Sequence, residues 1–480
     1  MNVDLRRLRR IAPVEFYDGK ELYFEGMEKV LSLSAAARTL SAEVEGSELR
    51  LNYLLTLKVT YLDEGGMVEV REESEERSTS LRCSLKGESP LVKLEVRGVE
   101  HALSNVLKVR VSLEASGVLF EGSSLEVLED SGLTVKKKVE RVKNTSKLKC
   151  VEKALIGTIP CDLSTCRLLA SDCQITLKKV STATDICEIE GTMQISLTTM
   201  EAGEIAYKRY PLPFKEDLLF EGVRDGDEAV IFVDLVSLSL SGSGEESEVG
   251  ALVSFNGYVV KDYELELPVD AFSKENETAL EENEAILPTS FNVIEEKERF
   301  SETLPLDGIE DAVEILSVSP PYFGACSLSE SGDAVVEGVL CIELLVKSES
   351  ESYNRCALEW PFSFKLSSKL ECTTDLPLNL SLVDFSVRLR FGSSVEISGE
   401  IKIELECLEE GVVRCLKGVN YLGAREPSDA VISVYLVGEG ETLFDCAKAL
   451  VSDEEELLSL NPELTLPLKE GDKVLLYRPL

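Results

Sequence analysis

The chain has 480 residues, with 88 acidic residues against 50 basic ones and a formal net charge of −38 at pH 7. Hydrophobic residues make up 44%, enough for the cores of three or four domains of ~100–150 residues each. Binding to phosphate-rich surfaces needs clustered Lys and Arg, so this charge argues against nucleic acid and anionic membranes as partners. Basic proteins and neutral glycans fit it better.

The first residues carry charge without an apolar segment behind them, so no secretory signal peptide is predicted. No run approaches the ~20 apolar residues that a membrane-spanning helix needs, and no membrane insertion is expected. The chain has 13 cysteines, an odd number. Together these features predict a cytoplasmic protein with free thiols. Cross-linking of cysteines within an assembled layer remains the alternative.

Four arginines stand close together at the N-terminus of this acidic chain: Arg6, Arg7, Arg9 and Arg10. The pattern fits a solvated first strand or tail. The alternative is a basic arm that docks on an acidic surface of a partner.

From there to about residue 425 the sequence repeats itself. Two separate blocks recur at the same offsets of 138 and 147 residues: the apolar triplets around Leu31, Leu169 and Leu316, and the blocks around Tyr53, Gly191 and Gly338. A third block, residues 210–215, aligns with residues 360–365 at an offset of 150. Chance rarely gives separate blocks one offset, so three repeats are predicted.

Each repeat has the alternation of apolar and polar residues that is typical of β-strands, for example at residues 385–391 and 401–407. We therefore predict a mainly β chain with three sandwich-like or barrel-like domains, at residues 1–127, 128–275 and 276–425. A short helix is expected at residues 307–315. Mid-strand Gly191 and Gly338 predict a bulge or a close backbone approach.

Three segments have the composition of connectors. Residues 130–149 and 273–284 are charged or polar and are expected to be exposed connectors, although residues 135–142 fit a leading strand of the second repeat equally well. Residues 422–429 are short, contain proline and predict a linker to the C-terminal segment.

No catalytic, cofactor-binding or metal-binding residues are predicted, and we expect no enzymatic activity. The one histidine, His101, has no nucleophile motif beside it. A clustered set of cysteines, Cys161, Cys166, Cys173 and Cys187, lacks paired C-x-x-C spacing and fits small strand residues. Trp360 fits an exposed interface anchor, but its alignment with Tyr210 favours a structural aromatic.

Residues 431–477 predict strand, helix, helix, strand in under fifty residues. Thr442 with Asp445 three residues later is a capping-box pattern that begins the first helix. Asn461-Pro462 ends the second helix, and residues 473–477 predict the closing strand.

Residues 431–480 thereby resemble a LysM domain, although Glu441 stands where that family usually has Asp. The resemblance implies N-acetylglucosamine glycan binding by two loops: Gly440, Glu441, Thr442 and Leu443, and Asn461, Pro462, Glu463 and Leu464. From residue 433 onward the chain has ten acidic residues and four basic ones. This charge fits a basic protein partner at least as well as a glycan.

The repeats and the terminal unit together resemble spore-coat morphogenetic proteins that carry SPOCS-domain repeats followed by a LysM domain. The matching features are the lead-ins at residues 159–160 and 304–305, the blocks around Leu316 and Gly338, and the Pro-Phe block at residues 210–214. The first repeat lacks a clear lead-in and Pro-Phe block.

The resemblance implies a non-enzymatic scaffold in the mother-cell cytoplasm, at the forespore surface. There it would anchor to the coat morphogenetic ATPase of the basement layer and recruit other coat proteins. The alternative is a wall or cortex protein that binds peptidoglycan.

Overall fold

The computed structural model describes residues 2–83, 88–129, 132–201, 204–242, 244–329, 334–350, 352–367, 374–391, 393–426 and 430–477, with the backbone alone at 374–377. This part of the chain is mainly β, as predicted: strands dominate and only two short helices occur. Neither helix, of eight and seven residues, is long and apolar enough to cross a membrane.

Unit 1 contains two three-stranded antiparallel sheets. Its strands are β1 (Asn2–Leu22), β2 (Met27–Glu45), β3 (Glu48–Asp63), β4 (Val68–Arg82), β5 (Glu88–Leu103) and β6 (Leu107–Glu126). One sheet has the order β1-β6-β5, and the other is the meander β2-β3-β4. In β3 every second side chain from Leu49 to Tyr61 is buried, because strand residues alternate between the core face and the other face.

Unit 2 has the same strand order. Its strands are β7 (Thr134–Ile159), β8 (Arg167–Ala183), β9 (Ile186–Glu201), β10 (Glu204–Leu219), β11 (Glu228–Gly242) and β12 (Ser247–Phe272). The sheets are β7-β12-β11 and β8-β9-β10. As in unit 1, the first and last strands pair and the meander lies between them in the chain.

Unit 3 repeats this order with one interruption. Its strands are β13 (Asn276–Pro305), β14 (Ala312–Val318), β15 (Tyr322–Ser329), β16 (Val335–Ser348), β17 (Tyr353–Lys365), β18 (Thr374–Arg390) and β19 (Ser394–Ala424). The sheets are β13-β19-β18 and a four-stranded sheet in which β14, β15 and β17 all pair with β16. Pro320 and Pro321 separate β14 from β15, because proline has no N–H to donate to a ladder.

The three units share buried apolar clusters. The Leu31 cluster takes two residues from each unit: Leu31 and Val68, Leu169 and Ile205, Leu316 and Leu345. Its three leucines are the ones that align in the sequence, and Leu31 is 0% exposed. A second shared cluster, the Tyr258 cluster, joins Phe120 of unit 1 to Tyr258 of unit 2 and Leu408 of unit 3. The units therefore meet through buried apolar clusters that are separate from the core of each unit.

Ion pairs also join the units, and two of the N-terminal arginines take part in them. Arg7 and Arg9 donate from Nε to Glu121 Oε2 at 2.8 and 2.9 Å, and both guanidinium groups lie within 3.6 Å of Glu410 in unit 3. Arg6 is exposed. The arginines belong to β1, and the acidic surface that two of them bind is part of the same chain.

Several expectations about local structure are corrected. Residues 307–315 form no helix: a turn at 307–308 leads into β14, whose pairing with β16 overrides local helix propensity. Most of 130–149 and 273–284 is strand, in β7 and β13, so the leading-strand alternative for 135–142 holds. Strand β19 takes up residues 422–424 of the expected linker, and residues 427–429 lie outside the described part.

Other expectations hold. A Cβ on Gly191 would lie 2.5 Å from both the Phe214 ring and the Thr176 carbonyl oxygen, and one on Gly338 would lie 2.7 Å from the Phe362 ring. Close approach therefore requires glycine at both positions. The cysteines that the structure describes are free thiols.

Trp360 is a structural aromatic. Its ring stacks on the Phe300 ring at 4.5 Å between centroids. It also packs against the hydrophobic core of unit 3.

A carboxyl group is buried beside the Tyr258 cluster. Glu406 is 1% exposed and accepts hydrogen bonds from the Tyr258 hydroxyl of unit 2 and from Asn379 Nδ2 at 3.3 Å. Burial raises the pKa of Glu406 to about 7 although the bond from Tyr258 opposes the shift. Ionising Glu406 therefore works against the folded state.

Replacing Glu406 with Gln should stabilise the protein at pH 8. The pKa of Glu406 is higher in the folded state than in the unfolded state. The contribution of neutral Glu406 to the free energy of unfolding is therefore fully present below about pH 4.5 and is lost as the pH rises through about 7. The loss is ~3 kcal/mol. Denaturant unfolding at pH 5 and pH 8 should show Glu406→Gln more stable than wild type at pH 8 only, and exposed Glu463→Gln unchanged. An equal difference at both pH values would contradict the assignment.

Candidate functional site

The C-terminal unit has the predicted order of elements. Strand β20 (Ile432–Leu436), helix α1 (Leu443–Leu450), helix α2 (Glu454–Leu460) and strand β21 (Lys473–Tyr477) follow one another, and the two strands pair antiparallel. The helices cover one side of this sheet around a small core: Val437, Leu443, Phe444, Cys446, Ala447, Leu450, Leu457, Val474 and Leu476.

The first predicted loop is closed by its own acidic residues. Glu441 accepts hydrogen bonds from the Tyr435 hydroxyl at 2.8 Å and from the Gly438 N–H at 2.7 Å. Asp445 accepts from the N–H and the hydroxyl of Thr442, both at 2.7 Å, which is the predicted capping pair. Gly440 has φ +76°, a conformation that suits glycine. Both carboxylates are thus committed to shaping the loop.

The second predicted loop is anchored by a buried amide. Asn461 is 1% exposed, and its Nδ2 donates to the carbonyls of Leu457 and Leu475 at 2.7 Å each. Its Oδ1 accepts from the Leu475 N–H at 2.8 Å. Pro462 and Glu463 are exposed, and Leu464 packs against the same core as Leu443. Asn461 therefore ties the loop to β21.

Helix α1 and the turn after it dock this unit on unit 2. The Phe444 ring meets the Phe272 ring edge-on, with centroids 5.6 Å apart. Three ion pairs surround this contact: Lys136 with Asp445 at 3.1 Å, Lys448 with Asp270 at 2.7 Å, and Lys274 with Asp453. Burial works against ionisation of Asp445, but hydrogen bonds from Thr442 and Lys136 hold its pKa below the usual value.

The surface left open by this docking is acidic. Six glutamates of the C-terminal unit are exposed: Glu439, Glu454, Glu455, Glu456, Glu463 and Glu470. Glu439 lies beside the first predicted loop and Glu463 lies within the second. These glutamates present negative charge to a partner. Because their carboxylates are already at the surface, a partner can reach them without a rearrangement of the unit.

The eight predicted loop residues divide into two groups. Leu443 and Asn461 are buried, Leu464 packs against the same core, and Glu441 is bound within its own loop, so these four serve the fold. Gly440, Thr442, Pro462 and Glu463 are exposed and available to a ligand.

Sequence reasoning missed an apolar surface on the other side of the sheet. Ile432, Val434, Leu436, Leu475 and Tyr477 point away from the helices and are exposed. The run Val474-Leu475-Leu476-Tyr477 places apolar residues on both faces of β21, and this signal could have indicated a second apolar face.

His101 lies in β5 and contacts unit 3. Its Nδ1 is 2.9 Å from Arg355 Nη1, and burial together with that cation lowers the pKa of the imidazole. Within the described residues, no group of three or more His, Cys, Asp or Glu side chains is arranged to hold a metal ion.

Comparison with known proteins identifies no relative of this chain. No family model matches the chain, and no curated protein and no solved structure matches it. Membership of the LysM and SPOCS families stays a prediction.

Replacing Asn461 with Ala should destabilise the C-terminal unit, because the backbone groups of Leu457 and Leu475 lose their partners. Each unsatisfied buried group costs ~1–3 kcal/mol. Hydrogen exchange should accelerate at the Leu475 amide, whereas exposed Glu463→Ala should leave it unchanged. Unaltered protection of Leu475 in the Asn461 variant would contradict a structural role.

Proposed function

We propose that this protein is a non-enzymatic scaffold in spore-coat assembly. Its β units are SPOCS-type repeats, at residues 1–127, 128–275 and 276–425, that bind other coat proteins. Residues 431–480 form a LysM-type unit that anchors the chain to the coat ATPase of the basement layer. Such a protein acts in the mother-cell cytoplasm at the forespore surface.

The recurrence of one strand order supports the repeat part of this proposal. Units 1 and 2 each pair the first strand with the last and place a meander between them, and unit 3 does the same with one strand split by Pro320 and Pro321. A scaffold needs several surfaces held at fixed positions. Units that share the Leu31 cluster supply such surfaces.

The observation that carries the proposal is the open acidic surface of the docked C-terminal unit. Helix α1 fixes this unit on unit 2, and Glu439, Glu463 and Glu470 remain exposed around the two loops. A fixed negative patch favours association with a basic protein surface, since complementary charge steers the encounter and selects the partner. We take the partner to be the coat ATPase.

Peptidoglycan is the second candidate partner. Gly440, Thr442 and Pro462 are exposed and uncharged, and such loop positions fit a neutral N-acetylglucosamine glycan. A neutral sugar would bind here without help from the surrounding glutamates, so the two candidates differ in their dependence on charge.

Reversing the charge of this surface should weaken capture by the ATPase. In co-sedimentation with purified coat ATPase, the wild-type chain should be captured, and the triple variant Glu439→Lys, Glu463→Lys, Glu470→Lys should bind about tenfold more weakly or worse. Added salt should weaken wild-type binding, because it screens exposed charges.

A matched control carries the same change in net charge on unit 2: Glu221→Lys, Glu245→Lys, Glu246→Lys, all at exposed positions. This control should bind the ATPase like wild type. Failure of the wild-type chain to bind the ATPase, together with saturable and salt-independent binding to purified peptidoglycan, would replace the proposal with the second candidate.

A further inference from the structure

The sheet of the C-terminal unit has an apolar outer face. Five side chains on this face are exposed: Ile432 by 62%, Val434 by 55%, Leu436 by 62%, Leu475 by 40% and Tyr477 by 53%. Single exposed apolar residues are ordinary on protein surfaces, but a contiguous apolar patch indicates an interaction surface.

The register of the two strands makes this patch continuous. Ile432 is paired with Tyr477, Val434 with Leu475, and Leu436 with Lys473. Cross-strand partners on one face of a sheet lie ~4.5–5.5 Å apart between Cβ atoms, so the three pairs form neighbouring rows. Lys473 closes the row at one end.

Within the described residues, the rest of the chain packs elsewhere. The helices cover the opposite side of the sheet, and the unit meets Phe272, Lys136, Asp270 and Lys274 through α1 and the turn that follows it. The outer face thus remains open when the unit is docked.

Charge restricts what covers this face. A second copy would bring together two chains of net charge −38, and like charge opposes their association. Glu439 follows Leu436 by three residues and Glu470 precedes Lys473 by three, so exposed carboxylates flank that end of the face. The backbone bond from Gly471 N–H to the Val437 carbonyl, 2.8 Å long, holds the two segments together. The partner therefore combines apolar side chains with basic ones.

The dimensions of the face fit a helix. Each strand has five residues, or ~16 Å at 3.3 Å per residue. A helix rises 1.5 Å per residue, so ~11 residues, three turns, span that length. A helix is ~10 Å wide and two paired strands are ~4.8 Å apart, so one helix covers both strands.

We propose that the outer face of β20 and β21 binds an amphipathic helix of a partner protein, one with an apolar stripe bordered by Lys or Arg. Apolar side chains at i, i+3, i+4 and i+7 of that helix lie on the three rows, and its basic residues meet Glu439 and Glu470. The identification of the partner as a coat protein rests on the proposed function. The surface is distinct from the two loops.

A synthetic peptide tests this directly with the full-length chain. The probe is a labelled 15-residue helical peptide with a Leu stripe at i, i+3, i+4 and i+7 and Lys on both borders. Fluorescence anisotropy should show saturable binding to wild type. The register pair Val434→Ser with Leu475→Ser should weaken binding about tenfold or more, because two apolar side chains lose their burial.

Two controls match these changes. Ile286→Ser with Val412→Ser alters another exposed cross-strand apolar pair, 53% and 62% exposed on β13 and β19, and should bind like wild type. On the peptide side, Glu in place of the bordering Lys should weaken binding, and so should Ser in place of the Leu stripe. These peptide changes leave the folding of the protein untouched.

Equal affinity for the Lys-bordered and Glu-bordered peptides would overturn the proposal, as would wild-type affinity in the Val434, Leu475 variant. A dimer that forms at 150 mM salt and is lost in that variant would overturn it in favour of a second copy. If the peptide binds but the coat ATPase is not captured, the surface stands and the proposed function fails. If the ATPase is captured but the peptide does not bind, the proposed function stands and the proposed helix-binding surface fails.

Discussion

Three leucines from three parts of the chain lie in one buried apolar cluster, and the architecture depends on it. Leu31, Leu169 and Leu316 are all buried in one cluster, each with a second apolar residue of its own unit. Fully burying a Leu side chain contributes ~1.5–3 kcal/mol, so each unit gains stability from the other two. The Tyr258 cluster repeats the arrangement at another junction. The β units are consequently held in fixed relative positions, as the proposed scaffold role requires.

Polar contacts at the same junctions specify the arrangement more than they stabilise it. Buried or half-buried charges lose hydration, and their mutual attraction often only balances that cost. Glu406 shows the balance: its bond to Tyr258 joins units 2 and 3, yet burial still raises its pKa to about 7. The C-terminal unit is held differently, by an aromatic contact and three partly exposed ion pairs. Ion pairs that water still reaches contribute little each, so this attachment is the weaker one.

Strand periodicity and the recurrence of apolar blocks could be predicted from the sequence, because the aligned residues pack either in the core of each unit or, for Leu31, Leu169 and Leu316, in one shared cluster. The pattern at 442–445 likewise predicted the start of α1. What failed depended on distant partners. Residues 312–315 belong to β14, which pairs with β16, and Arg7 and Arg9 bind Glu410, roughly 400 residues away in the chain. The motif located the two loops, but the buried role of Asn461 and the open face of β20 and β21 depend on which side the helices cover. The spacing of residues in the sequence does not predict which side of the sheet the helices cover.

Fluorescence of the single tryptophan offers the most direct test of whether the Leu31 cluster couples the folding of the three units. Trp360 lies in unit 3, whereas Leu31→Ala removes a buried side chain from unit 1 at a cost of ~2–5 kcal/mol. In denaturant titrations of this variant, the midpoint from Trp360 emission should fall as far as the midpoint from the β signal in circular dichroism. A Trp360 midpoint that stays at its wild-type value while the circular dichroism midpoint falls would show that the units fold independently and would contradict the account.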